Sequence, residues 1–218
     1  MENTIYTKQF DKDEFYNTPL IETKNFKVVP SLGAMVEGWL LIVPKRHYLS
    51  FAYIENELFE EFKTLQNEVV NLLEDIYKTN ICVFENGAIN CKSLVGCGVD
   101  YAHVHYVPLN INIKREISQS YNYTLEWEKI HGISELNQFI FLNAPYLYIQ
   151  DNNKESFVAK IDSPRSQLIR QIIANKLGFP EKYDWKRFSF EDKIVNTINR
   201  IKSQNIEIKK SSYEFNHA

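Results

Sequence analysis

Two of the five histidines, His103 and His105, stand one residue apart in a short apolar run, Tyr101 to Leu109, whose composition is that of a β-strand. On a strand, residues i and i+2 share a face about 7 Å apart. Tyr101, His103, His105 and Val107 are therefore expected on one side, as the wall of a cleft, with Ala102, Val104 and Tyr106 turned into the core. Imidazoles so placed have three uses. They can be a hydrogen-bonded structural pair, two ligands of a Zn or Fe ion, or a nucleophile with a partner acid. The metal reading lacks its remaining ligands, because no acidic residue follows within several positions and Cys91 and Cys97 are not spaced as Cys-x-x-Cys. His47, His131 and His217 are isolated in sequence.

The elements that must position this pair can be read on either side of it. Ile21 to Lys24 and Phe26 to Val29 are two short strands around the turn-prone Asn25, a hairpin. The stretch from Pro30 to Gly33 breaks the pattern, and Trp39 to Val43, ending at Pro44, reads as an interior strand. From about 56 to 78, apolar residues from Leu58 through Phe62, Leu65, Val69, Leu72 and Ile76 recur at three- and four-residue steps, the signature of one long amphipathic helix. Ile81 to Phe84 is a further buried strand, and a Gly-containing loop from Asn86 to Gly98 leads to the histidines.

Past Asn110 the chain reads as an irregular aromatic-rich segment. A hairpin follows, with Tyr146 to Gln150 and Phe157 to Ile161 around Asp151-Asn152-Asn153. Ser163 with Pro164 and Gly178 with Pro180 bracket a helix of about 164 to 177. Ser189 with Asp192 resembles a capping box for a last helix through Ile194, Ile198 and Ile201. The tail beyond about Ser203 is expected to fray. Tyr146, Tyr148, Trp185 and Phe188 read as the aromatic core of this C-terminal half.

The 218 residues carry 25 Lys plus Arg against 28 Asp plus Glu, a net charge of -3, so no global field grips a nucleic-acid backbone. An anionic ligand needs a local site. No apolar run approaches the roughly 18 residues of a membrane span, and the polar, acidic N-terminus is unlike a signal peptide. A cytoplasmic location with reduced thiols is the expectation for a chain with three cysteines, Cys82, Cys91 and Cys97. Neither an internal repeat nor a flexible linker separates the halves. Residues 1–110 are expected to form the core unit, with 111–218 an extension packed on it.

Four segments taken together carry a resemblance: FKVVPSLG from Phe26, GWLLIVPKRH from Gly38, VFENG from Val83, and GCGVDYAHVHYVP from Gly96. In order and spacing this pattern resembles the histidine-triad (HIT) superfamily of nucleotide hydrolases and transferases, over about residues 20 to 110. The family motif is His-x-His-x-His, two apolar residues and often Pro. Pro108 makes His105 the third histidine, His103 the middle one and Tyr101 the replacement for the first; the alternative register, with Val107 third, misplaces Pro108 and Gly96.

The resemblance implies an α+β fold, a mainly antiparallel sheet with one long helix, here with a helical C-terminal extension. It implies attack by His103 on the α-phosphorus of a nucleotide conjugate such as a dinucleoside polyphosphate. A nucleotidyl-histidine forms and is resolved by water or another acceptor, with His105 as proton donor and no cofactor or metal. Backbone N–H groups around Gly96, Cys97 and Gly98 would nest the phosphate oxygens. Tyr101 retunes a supporting position, and Trp39 stands where the family often has another histidine. Ser31 falls at a ribose-contacting position, and Glu85 and Asn86 fall near the phosphates. Outside the resemblance, Gln167 and Arg170 share a helix face at i, i+3, and the guanidinium suits a phosphate. Lys45, Arg46 and His47 read as solvated charges. A homodimer is the default that the family implies, unless the extension blocks its interface, and a non-catalytic nucleotide binder is the rival function.

Overall fold

The computed structural model describes residues 10, 14–95, 99–120 and 125–204. The expected hairpin pairs β1 (Ile21–Glu22) with β2 (Phe26–Pro30), and Ile21 lies opposite Val28. Its turn is braced from a distance: the Glu61 carboxylate accepts from the Thr23 hydroxyl at 2.5 Å and from the Asn25 backbone and side-chain N–H groups at 2.8 and 2.6 Å. β3 (Leu40–Pro44) is buried along its whole length between β2 and β5 (Val104–Pro108), as its unbroken apolar run requires. The histidine strand is shorter than its composition suggests, because ladder pairing begins at Val104. Tyr101 and His103 thus lie on the extended lead-in.

β4 (Ile81–Gly87) continues three residues past Phe84 because it has a second partner, β7 (Tyr146–Gln150). β7 forms the expected hairpin with β8 (Ser156–Lys160), and β8 pairs with β6 (Trp127–Ile130). All eight strands make one sheet in the order β1-β2-β3-β5-β4-β7-β8-β6, with every neighbour antiparallel. The C-terminal half therefore extends the sheet of the N-terminal half from the flank of β4, which leaves no open edge there.

α1 (Phe59–Tyr77) crosses one face, with Phe62, Leu65, Val69 and Leu73 packed on Val28, Ile42, Val104 and Tyr106. The other face takes three helices: α2 (Ile113–Ser120), α4 (Leu168–Lys176) and α5 (Glu191–Ser203), whose apolar sides cover Val29, Trp39, Leu41, Phe84 and Val107. The short α3 (Gln138–Phe141) lies on the α1 side, against the same core as Tyr146. The alternation expected along 101–107 is present: Ala102, Val104 and Tyr106 join the α1 core, Tyr101 and Val107 the opposite one. The supposed aromatic cluster of the extension is split by the sheet. Tyr146 and Tyr148 bury under α1, whereas Trp185 lies on the far side.

Both helix starts in the C-terminal half differ from expectation. Gln167 at φ 57 and Phe190 at φ 51 are left-handed, and neither helix has a side-chain cap. Left-handed backbone cannot continue into a right-handed helix, so α4 begins at Leu168 rather than Pro164. The cause is tertiary. The Gln167 amide bonds Asp184 Oδ1 at 3.0 Å and the Trp185 N–H at 3.3 Å, and the Ser189 carbonyl accepts from Gly33 N at 2.9 Å in place of any capping box. The stop signal behaves as expected. Gly178 at φ 84 closes α4 with Gly178 N to Asn175 O and Phe179 N to Ala174 O, both 3.1 Å, the Schellman pattern. α2, β6 and α3 replace the segment expected to be irregular.

Candidate active site

Where β5 begins, the face away from α1 opens into a narrow cleft of about 570 Å³ including its mouth. His103 and His105 form its floor with Leu41 and Asn86, Ser31 lies on one flank, and Arg170 and Trp185 reach in from the C-terminal half. A larger, more polar groove of about 1260 Å³ on the α1 face holds His131 but none of the expected site residues. No helix among the described residues is long and apolar enough to cross a membrane, and no three His, Cys, Asp or Glu side chains are grouped to hold a metal ion.

The two imidazoles stand 4.8 Å apart between ring centres, at 70°. Their backbone and side-chain partners assign opposite tautomers. His103 Nδ1 lies 2.7 Å from the carbonyl of Tyr101, and a carbonyl only accepts, so the proton is on Nδ1 and Nε2 carries a lone pair. His105 Nδ1 lies 3.0 Å from Trp39 Nε1, and an indole N–H only donates, so Nδ1 is the acceptor and the His105 proton is on Nε2. Burial lowers the pKa of both rings. For His103 the Tyr101 carbonyl partly opposes this, while for His105 the neighbouring His103 and Arg170 add to it and take it well below the ordinary value. At neutral pH the cleft therefore presents one neutral nucleophilic nitrogen beside one neutral N–H donor.

Trp39 and Arg170 form the next layer. The guanidinium lies over the Trp39 ring at 4.8 Å, while Nε donates to the Tyr183 carbonyl at 2.8 Å and Nη2 to the Gly33 carbonyl. Gly33 is at φ 74, and a Cβ there would lie 2.6 Å from Trp185 Cβ, so this joint between the two halves requires glycine. The His105 ring stacks on Phe84 at 4.3 Å and 14°.

The remaining expected residues separate into those the fold brings to the cleft and those it does not. Ser31 and Asn86 line it, as do the two histidines and Arg170. Gln167 acts one step back, on Asp184 and Trp185. Tyr101 is buried beside the cleft. Its hydroxyl donates to the carbonyls of Pro44 and Lys45 at 3.0 and 3.1 Å, and its ring lies between Phe10 and His47, so it braces the strand end rather than facing a ligand.

Glu85 is a correction. The pleat turns it to the α1 face, where its carboxyl accepts from Phe51 N–H at 2.6 Å and Tyr146 O–H at 2.8 Å, and burial raises its pKa to about 8. It cannot contact phosphates held at the histidines. Gly96 and Gly98, with the expected phosphate nest, lie outside the described residues, as do Cys97, His217 and the expected frayed tail. Lys45 and Arg46 pair with Glu22 and Glu55 at the surface. His47 Nε2 lies 2.5 Å from the Asp100 carbonyl. Cys82 is buried and Cys91 exposed, both free thiols.

Several lining residues, among them Phe10, Asn17 and Trp185, were not legible as such. Phe10 and Asn17 come from the N-terminal segment, and the Phe10 ring lies 5.6 Å from that of His103. Trp185 carries no local signal beyond its size.

The fold and site define an antiparallel α+β protein with paired imidazoles of opposite tautomer at a strand end. No protein-family model matches the chain, and neither does any curated protein. Solved structures do match. A HIT-like protein involved in cell-cycle regulation from Bartonella henselae, crystallised with an unknown ligand, is 17% identical, over 63% of this chain and 93% of that one, with a TM-score of 0.39. A hypothetical histidine triad nucleotide-binding protein from Sulfolobus tokodaii strain 7 is 19% identical, over 56% of this chain and 78% of that one, with a TM-score of 0.36. At such scores the likeness carries no functional argument, which rests instead on this chain's own geometry.

Proposed function

We propose that the protein is a nucleotidyl hydrolase or transferase that works at the α-phosphate of a nucleotide conjugate through a covalent intermediate on His103. The observation that carries the reading is the pair of opposite tautomers. Tyr101 O holds the His103 proton at Nδ1, which leaves the Nε2 lone pair for phosphorus, while His105 offers Nε2–H to the oxygen that departs. A P–N bond forms as the P–O bond breaks, and the leaving oxygen keeps the electron pair. Arg170 and the apolar surfaces that Leu41 and Trp185 supply suit a phosphate joined to a flat base.

Incubation with [α-³²P]ATP or a labelled dinucleoside polyphosphate, followed by denaturation, is expected to leave alkali-stable, acid-labile label on the wild type and none on His103→Ala. Thermal stabilisation by nucleotide that survives His103→Ala, with no label and no product, would instead make this a binding protein. The homodimer expected from the resemblance remains part of the proposal, but through a surface other than the flank of β4, which β7 occupies.

A further inference from the structure

We propose that Trp39 is a positioning residue that limits this site to exchange between acidic oxyanions, a phosphate-type leaving group for a phosphate-type acceptor. It does so by fixing His105 in a form that donates a hydrogen bond but cannot pass on a proton. The inference rests on the His103 reading above and narrows its substrate class. It also revises the expected role of His105 as proton donor.

A neutral imidazole that gives away its single proton becomes an imidazolate, which is out of reach near pH 7. To act as a general acid, His105 must first be protonated on both nitrogens. Its Nδ1 faces an indole N–H at 3.0 Å in a fully buried contact. Charging the ring would set two donors head-on with no acceptor between them. A histidine at position 39 could turn a lone pair toward His105; a tryptophan has none on its N–H. The other groups facing His105 act in the same direction. Phe84 stacks on it and is apolar, His103 is neutral, and the Arg170 guanidinium is a fixed positive charge.

The chemical consequence falls on the group that leaves phosphorus. Phosphate and pyrophosphate oxygens depart as anions, because phosphate esters are ionised at pH 7 with a last pKa of about 6. A hydrogen bond from His105 Nε2 is sufficient help for them. An alkylamine, whose conjugate acid has a pKa near 10.4 in lysine, must be protonated as it leaves, and His105 cannot do this.

The second step repeats the first in reverse. A phosphate oxygen that arrives already ionised attacks the nucleotidyl phosphorus, a P–O bond forms, and the P–N pair returns to His103 Nε2. Water or a sugar hydroxyl would need a base, and the protonated Nε2 of His105 is not one. No proton moves in either step when both partners are phosphates.

The test uses the full chain and three adenosine 5′-phosphate conjugates, in which the leaving group is pyrophosphate (ATP), p-nitrophenol or an alkylamine, with and without [³²P]phosphate. Expected for the wild type is ATP turnover about 100-fold or more above the alkylamine conjugate, the lower end of what a general acid contributes. Phosphate should accelerate release at least about tenfold over water, with label in ADP. Trp39→His, whose ring can turn a lone pair toward His105 Nδ1 as a phenyl ring could not, should narrow the ATP-to-amine ratio at least about tenfold, through amine-conjugate turnover that increases as the pH falls. Equal turnover of the amine and anhydride conjugates by the wild type, or an unchanged ratio in Trp39→His, overturns the proposal.

Should Trp39→His not fold, ¹⁵N NMR of the wild-type imidazoles decides the same point. A neutral His105 ring with its proton on Nε2 throughout the pH range of turnover supports the lock, and a proton on Nδ1 there, alone or in an imidazolium, overturns it. If His103 takes no label from ATP, the nucleophile reading fails, and the NMR result still decides whether Trp39 fixes the tautomer.

Discussion

Glu85 and His105 are near neighbours on paired strands, since Phe84, not Glu85, lies opposite His105, and the one-residue offset puts them on opposite faces of the sheet. Both are buried polar groups, at 1% and 7% exposure. Under α1, the Glu85 carboxyl has both oxygens engaged, by Phe51 N–H and Tyr146 O–H, and nothing remains to offer a ligand. In the cleft, His105 has one nitrogen engaged by Trp39 and the other toward the opening. A buried polar group with every valence occupied holds the fold together. One with a fixed, unoccupied valence beside a second such group is equipped for catalysis.

Substitutions on the two faces should therefore fail in different ways. The largest effect is expected from His103→Ala, which should lower kcat by about 10⁴-fold or more with little change in urea midpoint, as removal of a nucleophile does elsewhere. Glu85→Ala should do the reverse. It orphans two buried donors at about 1–3 kcal/mol each, visible in urea unfolding, while per-molecule activity of the folded fraction is retained.

Glu85 also predicts a pH dependence. Its folded pKa of about 8 lies above the ordinary 4.5, so the native state keeps a proton that the unfolded chain releases. The stability from that proton is whole below the ordinary value and is lost as pH climbs through about 8. Glu85→Gln should flatten urea midpoints measured across this window; an unchanged slope would show that other groups set it.

Gly33→Ala comes next. The left-handed φ and the approach of Trp185 should cost about 1–3 kcal/mol and loosen Arg170, raising KM more than it lowers kcat. The smallest effect is expected from Tyr101→Phe, which removes a hydroxyl bonded to Pro44 and Lys45 at about 0.5–1.5 kcal/mol. Catalysis should change less than threefold. A loss as large as that from His103→Ala would mean that the hydroxyl reaches the substrate and that the bracing role is wrong.

Period and punctuation made much of this architecture legible. The three- and four-residue spacing from Leu58 to Ile76 gave α1, the unbroken run ending at Pro44 gave an interior strand, and the polar turn at 151–153 gave the β7–β8 hairpin. The two histidines were evident because same-face placement on a strand follows from alternation alone. Glu85 shows the limit. The resemblance placed it near the phosphates, whereas the pleat, which alternates with every residue, turned Asn86 to the cleft and Glu85 away.

α2 and β6 were missed because Ile113 and Ile117 give too short an apolar pattern to register, and because Trp127 to Ile130 alternates poorly at a sheet edge. The helix starts at Leu168 and Glu191 were set by Gln167 and Ser189 bonding to distant partners, which no local capping rule can anticipate.

From its own order of residues, the chain determined α1, the strands on either side of it, the β7–β8 hairpin and that two imidazoles share a strand face, because those are local consequences of spacing and backbone geometry. Only the tertiary structure decided which nitrogen of each ring bears the proton, since that depends on a carbonyl two residues back in one case and an indole 66 positions away in the other. It also brought Arg170 and Trp185 across to the cleft. For His105, Arg170 and Trp185 the decision comes from hydrogen bonds and packing between segments far apart in the chain, and such contacts exist only once the sheet and the helices on it have assembled.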